Sequence, residues 1–84
     1  MAPITSEDVL NVLREMNLPG VYIDFLDVDE PFMTQGIDSL DALSIFTQVE
    51  EKYGIHIPDE DFAQLDSVTD VVNYLNAHFA ERAA

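Results

Sequence analysis

The chain has 84 residues, of which 17 are Asp or Glu and three are Lys or Arg, so its formal charge is −14 at pH 7. Such a charge repels phosphate backbones and anionic lipids, which argues against nucleic acid and membrane surfaces as partners. Hydrophobic residues make up 48% of the chain, too many for a disordered acidic tail. We therefore expect a single folded domain over residues 1–84, whose acidic surface serves either solubility or docking to basic partners.

Three features of the sequence bear on its location. The chain has no Cys, no apolar run near the roughly 18 residues that a membrane span requires, and no basic leader followed by an apolar segment. We expect a soluble, cytoplasmic and monomeric protein that does not insert into a membrane. Any thiol chemistry in it has to be supplied by a prosthetic group.

The first predicted helix begins near Thr5, where a hydroxyl cap precedes acidic residues, and it ends before Pro19 and Gly20. The stretch 18–37 that follows is long for a connection in a small domain. One helical face is predicted to be buried: Val9, Leu10, Val12, Leu13 and Met16. The apolar residues of the long stretch are expected to pin it to the core: Val21, Tyr22, Ile23, Phe25, Leu26 and Phe32.

Two further helices and one short helix complete the prediction. The second helix should span residues 39–53 and end at Gly54, a favourable left-handed terminator. A short helix should run from Pro58 to about Gln64, and the last helix should follow a cap at residues 66–67. The expected buried positions of the second helix are Leu43, Phe46, Val49 and Tyr53, flanked by Ala42 and Ile45, and those of the last are Val68, Val71, Val72, Leu75 and Phe79. The predicted fold is an all-α bundle of three main helices, with a short helix between the last two and a long loop after the first.

The hexapeptide G-I-D-S-L-D at residues 36–41 lies where the long loop meets the second helix. Gly36 allows a turn without a Cβ clash, and Asp38 is a good N-cap because its carboxylate accepts bonds from amides of the first turn. Ser39 then lies in that first turn, beside orphan N–H groups and the positive end of the helix dipole. This position favours a negatively charged phosphodiester on the Ser39 hydroxyl.

These residues resemble the G-x-D-S-L-D attachment motif of acyl carrier proteins. A second stretch at residues 49–61, V-E-E-K-Y-G-I-H-I-P-D-E-D, is similar to the family's second helix ending and the I-P-D-E turn that follows it. The resemblance implies that Ser39 carries 4′-phosphopantetheine, derived from coenzyme A, with Asp38 and Leu40 completing the attachment triplet. It also implies a non-catalytic carrier of acyl thioesters in fatty-acid, polyketide or specialised lipid biosynthesis.

The same resemblance implies partners and the surfaces that meet them. The partners are a phosphopantetheinyl transferase and acyl-transferring, synthase or ligase enzymes with basic docking patches, attracted by acids around the serine. The docking candidates are Asp38, Leu40, Asp41, Ser44, Glu50 and Glu51. The candidates for lining an acyl pocket are Phe46, Val49, Ile57, Phe62, Leu65 and Leu75, whose helical spacing is equally typical of core residues.

Some positions depart from the usual fatty-acid carrier pattern. Where that pattern commonly reads L-D-x-V-E-L, residues 40–45 read L-D-A-L-S-I, so Ser44 replaces a docking acid. Thr47 stands where the family often has Met, and Thr34 and Gln35 replace a common Asp-Leu. These differences favour a specialised carrier over the housekeeping one. An aminoacyl or peptidyl carrier and an unmodified acidic interaction module remain alternatives.

Other chemistries fit the sequence less well. Ser39 lacks the second glycine of the G-x-S-x-G nucleophile motif, and neither His56 nor His78 stands in a triad pattern. Residues 27–32 briefly resemble a calcium loop, but Pro31 stands at a ligand position and Phe32 where the turn requires glycine. We therefore predict neither a hydrolase nor a defined metal site.

Overall fold

The computed structural model describes the backbone of residues 3–83 and the side chains of residues 3–80. Three α-helices are present: α1 (Ser6–Met16), α2 (Ser39–Tyr53) and α3 (Val68–Ala83). Three 3-10 segments accompany them, at Ile23–Phe25, Phe32–Gln35 and Asp59–Gln64. Over residues 3–83 there is no strand. The predicted all-α fold is confirmed, and the short helix before α3 is a 3-10 helix.

The bounds of α1 follow from local chemistry. The hydroxyl of Thr5 accepts a hydrogen bond from the backbone N–H of Asp8 at 3.2 Å, and the Asp8 carboxylate accepts from the Thr5 N–H at 2.9 Å. This reciprocal pair satisfies two orphan donors and fixes the start of the helix. Asn17 ends it in the left-handed conformation with φ 54°, which asparagine tolerates better than most residues.

In the loop between α1 and α2, apolar side chains face alternately toward the core and toward solvent. Ile23 and Leu26 pack against the core, whereas Tyr22 and Phe25 are 77% and 88% exposed. Residues three apart are eclipsed in a 3-10 turn, so each pair lies on one side of it. The expectation that all the apolar loop residues face the core was therefore wrong for Tyr22 and Phe25.

Long-range hydrogen bonds fasten this loop to α3. The backbone N–H of Thr69 donates to the carbonyl oxygen of Val28 at 2.9 Å, and its hydroxyl donates to the Asp29 carboxylate at 2.6 Å. The start of α3 is itself capped, because the Ser67 hydroxyl accepts from the backbone N–H of Asp70 at 3.1 Å. The loop before α2 is thus fastened to the first turn of α3.

The core lies between the three helices, and its largest fully buried side chains are Phe32, Leu13, Ile37, Ile45, Ile57, Leu75, Val9, Val49, Val68 and Val71. Ile37 stands two residues before Ser39 and is fully buried. It therefore anchors the chain just ahead of α2 and fixes where that helix begins. Within the described range, no helix is long and apolar enough to cross a membrane.

Candidate functional site

Ser39 is the first residue of α2, and its side chain is exposed. The carboxylate of Asp38 accepts a hydrogen bond from the backbone N–H of Asp41 at 2.9 Å, so Asp38 is the N-cap as the sequence predicted. Just before it, Gly36 turns the chain in the left-handed region with φ 87°, which a residue with a Cβ rarely adopts. The result is a hydroxyl presented to solvent at the positive end of a helix of 15 residues.

An apolar groove of about 480 Å³ has Ser39 among its lining residues. Along α2 its floor consists of Ser39, Ala42, Leu43 and Phe46, which have the i, i+3, i+4, i+7 spacing of one helical face. At 1.5 Å per residue, this floor is about 10 Å long. The walls are two short segments that each include part of a 3-10 helix, with Pro31, Phe32 and Met33 in one and Phe62, Ala63, Leu65 and Asp66 in the other.

The two walls are joined to each other and to the floor. The backbone N–H of Phe32 donates to the carbonyl oxygen of Asp66 at 2.7 Å. The ring of Phe46 lies 6.3 Å from that of Phe32 and 5.2 Å from that of Phe62, measured between centroids, and the rings of Phe46 and Phe62 are stacked at 25°. These contacts give the groove a defined shape, because each wall is fixed against the other.

The six pocket candidates from the sequence divide into two sets. Phe46, Phe62 and Leu65 line the groove. Of these, Phe46 and Leu65 are also core residues, 4% and 3% exposed. Val49, Ile57 and Leu75 are at most 1% exposed and are not among the lining residues, so they belong to the core alone. The groove thus offers an apolar surface next to Ser39, and three of its lining residues, Phe32, Phe46 and Leu65, are also part of the core.

The groove also includes residues that the sequence analysis did not select. Leu43 was predicted to be buried, but it is 45% exposed at the rim of the groove, and Met33 is 68% exposed there. The face of α2 that carries Leu43 is covered only by short segments, which leaves this side chain in contact with solvent. The helical spacing from Ser39 through Leu43 to Phe46 was the signal that could have identified this face.

Three of the docking candidates form one exposed stripe on α2. Leu40, Ser44 and Glu51 follow one another at i, i+4 and i+11, positions that share a helical face. Leu40 is 74% exposed, and the Ser44 hydroxyl donates to the Leu40 carbonyl oxygen at 3.1 Å. Asp38 and Asp41 lie at the start of this stripe. The arrangement places an exposed apolar side chain among acids, close to Ser39.

Glu50 lies away from that stripe and is held by internal contacts. Its carboxylate accepts a hydrogen bond from the backbone N–H of Ile57 at 2.9 Å and lies 3.3 Å from Nδ1 of His56. The Glu50 side chain is 22% exposed. In the structure, Glu50 therefore supports the turn after α2, a role that the sequence analysis missed because it depends on a contact seven residues away.

The basic side chains within the described range are held by neighbouring acids. Arg14 lies 2.6 Å from Glu7 and 3.2 Å from Asp24, and its pKa is raised chiefly by the hydrogen bond to Glu7. Lys52 lies 3.8 Å from Glu15. No three metal-ligating side chains in the described part of the chain are grouped so as to hold a metal ion. The helix α2 and its N-cap carry four acids, Asp38, Asp41, Glu50 and Glu51, against Lys52, so their formal charge is negative.

A match to a protein family shows the class of protein to which this chain belongs. The family described as "Phosphopantetheine attachment site" matches residues 8–75, a span that contains α2 and both walls of the groove. The chain belongs to this family of acyl carrier proteins. It is a non-catalytic carrier that bears covalently attached 4′-phosphopantetheine and passes acyl intermediates among biosynthetic enzymes.

Curated relatives agree with this assignment. The acyl carrier protein of Rhodococcus erythropolis is 37% identical over 82 residues, which cover 94% of this chain and 90% of that protein. The acyl carrier protein of Rickettsia bellii is 37% identical over 60 residues, or 70% of each chain. The meromycolate extension acyl carrier protein of Mycobacterium tuberculosis is also 37% identical, over 76 residues that cover 87% of this chain and 66% of that protein.

Solved structures show the same fold. The NMR structure of the hexanoyl acyl carrier protein from the actinorhodin polyketide synthase of Streptomyces coelicolor superposes with a TM-score of 0.80 at 26% identity. Its octanoyl form gives a TM-score of 0.78, and the match covers 95% of both chains in each case. The bundle described above is therefore the acyl carrier fold.

Proposed function

We propose that Ser39 is the residue to which 4′-phosphopantetheine is attached. The observation that carries this assignment is that Ser39 is an exposed hydroxyl at the N-terminus of α2 and also a lining residue of the apolar groove. The orphan N–H groups and the dipole of the helix stabilise a phosphodiester there. When bound, the group supplies a flexible arm and a thiol that holds the acyl chain as a thioester.

The residues around Ser39 fit such a group. Asp38 holds the first turn of α2 through its bond to Asp41, so the backbone that carries the hydroxyl is held in place. Leu43, Phe46 and Phe62 offer apolar surface beside it, on which an acyl chain can be sheltered from water. The proposed work of the protein is thus to present the hydroxyl to a transferase and afterwards to cover the cargo.

The exposed stripe of α2 is the proposed docking surface. Its partners are a phosphopantetheinyl transferase and synthase, ligase or acyl-transferring enzymes with basic patches, for which the charge of −14 provides long-range attraction. Leu40 is the apolar anchor of the surface. Asp38 and Asp41 supply charge near it, and Glu51 extends the acidic surface about three helical turns further along α2. Ser44 contributes a hydroxyl at the centre of the stripe in place of an acid.

We further propose that the carrier serves a specialised pathway of lipid or polyketide type. Its support is the replacement of a docking acid by Ser44, together with the similarity to a meromycolate extension carrier and to carriers of a polyketide synthase. The single domain over residues 1–84, the monomeric state and the cytoplasmic location expected from the sequence remain predictions. An aminoacyl cargo is the alternative, and it is tested by comparing acyl and aminoacyl groups as cargo on the phosphopantetheine arm.

The attachment residue is tested by locating the added group. The protein is incubated with a phosphopantetheinyl transferase, coenzyme A and magnesium, and the peptides of the product are sequenced by mass spectrometry. We expect one phosphopantetheinyl group on Ser39. A group on another residue, or no mass gain with several promiscuous transferases, would overturn the assignment, and the second result would favour an unmodified acidic interaction module.

A further inference from the structure

Three aromatic rings line the groove, and that of Phe46 contacts those of both Phe32 and Phe62. We infer that Phe62 is a plug that sets how long an acyl chain this carrier can bury, an inference that rests on the attachment of the arm at Ser39. The floor of the groove begins at Ser39 and ends at Phe46, whose ring is stacked on that of Phe62 with centroids 5.2 Å apart. Phe62 is therefore the wall residue that meets the floor at its far end.

The apolar residues that a longer acyl chain would have to reach lie beyond the contact between Phe46 and Phe62. Val49 follows Phe46 by one helical turn on the same side of α2, and Val49, Ile57 and Leu75 are at most 1% exposed. They are apolar, but the groove does not reach them. A short chain can lie against the groove as it stands, whereas a longer one has to separate the stacked rings to reach these residues.

Among the three aromatic rings of the groove, Phe62 is the one placed to move. Phe32 and Phe46 are 2% and 4% exposed and belong to the core, while Phe62 is only partly buried. Phe62 also lies in the 3-10 helix Asp59–Gln64, which contains no fully buried residue. A segment with so little buried surface opens at lower cost than an α-helix of the core.

One side-chain bond restrains this segment beside Phe62. The hydroxyl of Tyr74 on α3 donates to the Asp61 carboxylate at 2.7 Å. Because Asp61 immediately precedes Phe62, this bond ties the plug to the last helix and resists its displacement. The length limit thus depends on the ring of Phe62 and on the anchorage of the segment that carries it.

The test compares acyl chains of increasing length on wild type and Phe62→Leu. Each protein is loaded with phosphopantetheine analogues that carry amide-linked acyl chains of 4 to 14 carbons, and the melting temperature is measured against the form with the bare arm. Burial of one more methylene should raise the melting temperature by roughly 3–6 °C. We expect wild type to stop gaining stability at a shorter chain than Phe62→Leu, which should continue to gain for several carbons.

Controls separate this inference from a general loss of packing and from the attachment itself. Phe25→Leu removes a ring that is 88% exposed on the loop, and it should show the chain-length limit of wild type. If Phe62→Leu does not melt cooperatively with the bare arm, Phe62→Met replaces it. Equal limits in wild type and the residue-62 variant would overturn the plug while leaving the attachment intact; failure of loading at Ser39 would overturn both.

Discussion

The carboxylate of Glu50 accepts a hydrogen bond from the backbone N–H of Ile57 at 2.9 Å, so an acid on α2 supports the turn that follows it. Ile57 is 1% exposed, and its N–H loses its partner when that carboxylate is removed. Glu51, the next residue, is exposed on the stripe of α2 that we propose as the docking surface. Two adjacent acids of equal charge thus have different roles, one within the fold and one at the surface.

Substitution of these two acids separates the roles. Glu50→Ala should lower the free energy of unfolding by about 1–3 kcal/mol, because a buried donor is left unsatisfied. Glu51→Ala should change it by less than about 0.5 kcal/mol, as is usual for an exposed side chain, while slowing the encounter with a basic partner. Chemical denaturation measures the first effect and transferase kinetics the second. Equal destabilisation by both variants would contradict the distinction.

The N-cap of α2 can be tested apart from its charge. Asp38→Ala should destabilise the protein by about 1 kcal/mol, since the backbone N–H of Asp41 loses its acceptor. Asp38→Asn should retain most of that stability, because asparagine is an equally good N-cap, but it removes one negative charge beside Ser39. If Asp38→Asn slows modification while Asp38→Ala and Asp38→Asn differ in stability, capping and attraction are separate functions of this residue. Equal stability of the two variants would show that the cap contributes nothing measurable.

The environment of Tyr53 should make the free energy of unfolding fall at high pH. Burial raises the pKa of its hydroxyl above the ordinary 10.0, and the charges of Asp8 and Glu15 act in the same direction. Below pH 10 the hydroxyl is protonated in both the folded and the unfolded protein, so it does not change the free energy of unfolding. Above that pH the unfolded chain releases its proton first, so stability falls until the folded pKa is passed. Tyr53→Phe should reduce this loss of stability at high pH, measured by denaturation curves at a series of pH values. A pH profile identical to that of wild type would contradict the role given to Tyr53.

The order and the bounds of the helices were largely predictable, because they depend on short local sequence patterns. The cap at Thr5, the bounds of α2 between Asp38 and Gly54, and the cap at Ser67 each depend on a few adjacent residues. Which apolar side chains of the loop face the core was not predictable. Ile23 faces the core and Tyr22 the solvent because they lie in a 3-10 turn, and the residue types do not specify the register of that turn.

The site was less predictable than the fold, for a related reason. Phe46 and Val49 are both buried apolar side chains at helical spacing, yet only Phe46 also lines the groove. The difference depends on which segments cover each turn of α2, and those segments are distant in sequence. The bond from Ile57 to Glu50 and the stacking of Phe62 on Phe46 are tertiary contacts of the same kind.

Docking should depend on the charge at residues 41 and 44. Asp41→Lys replaces attraction by repulsion near Ser39 and should slow modification by a phosphopantetheinyl transferase by about tenfold or more at low salt. Ser44→Glu should speed acyl transfer by housekeeping fatty-acid enzymes, whose carriers usually present an acid there. Both effects should shrink as salt rises, because the Debye length is about 10 Å at 0.1 M.

Rates for each variant at low and high salt check this prediction, with Asp41→Asn as the control that removes charge without reversing it. Its rate should lie between those of wild type and Asp41→Lys. If Ser44→Glu leaves the housekeeping reaction unchanged, then Ser44 does not mark partner choice, and the proposal of a specialised pathway loses its main support.

The central claim is that Ser39 carries the arm, and the most direct measurement is the intact mass after incubation with a phosphopantetheinyl transferase, coenzyme A and magnesium. Wild type and Ser44→Ala should each gain one phosphopantetheinyl group, because Ser44 is exposed on the same helix but lies outside the first turn. Ser39→Ala should gain none while retaining the helical circular dichroism of wild type. A mass gain in folded Ser39→Ala, or none in wild type with several transferases, would contradict the account.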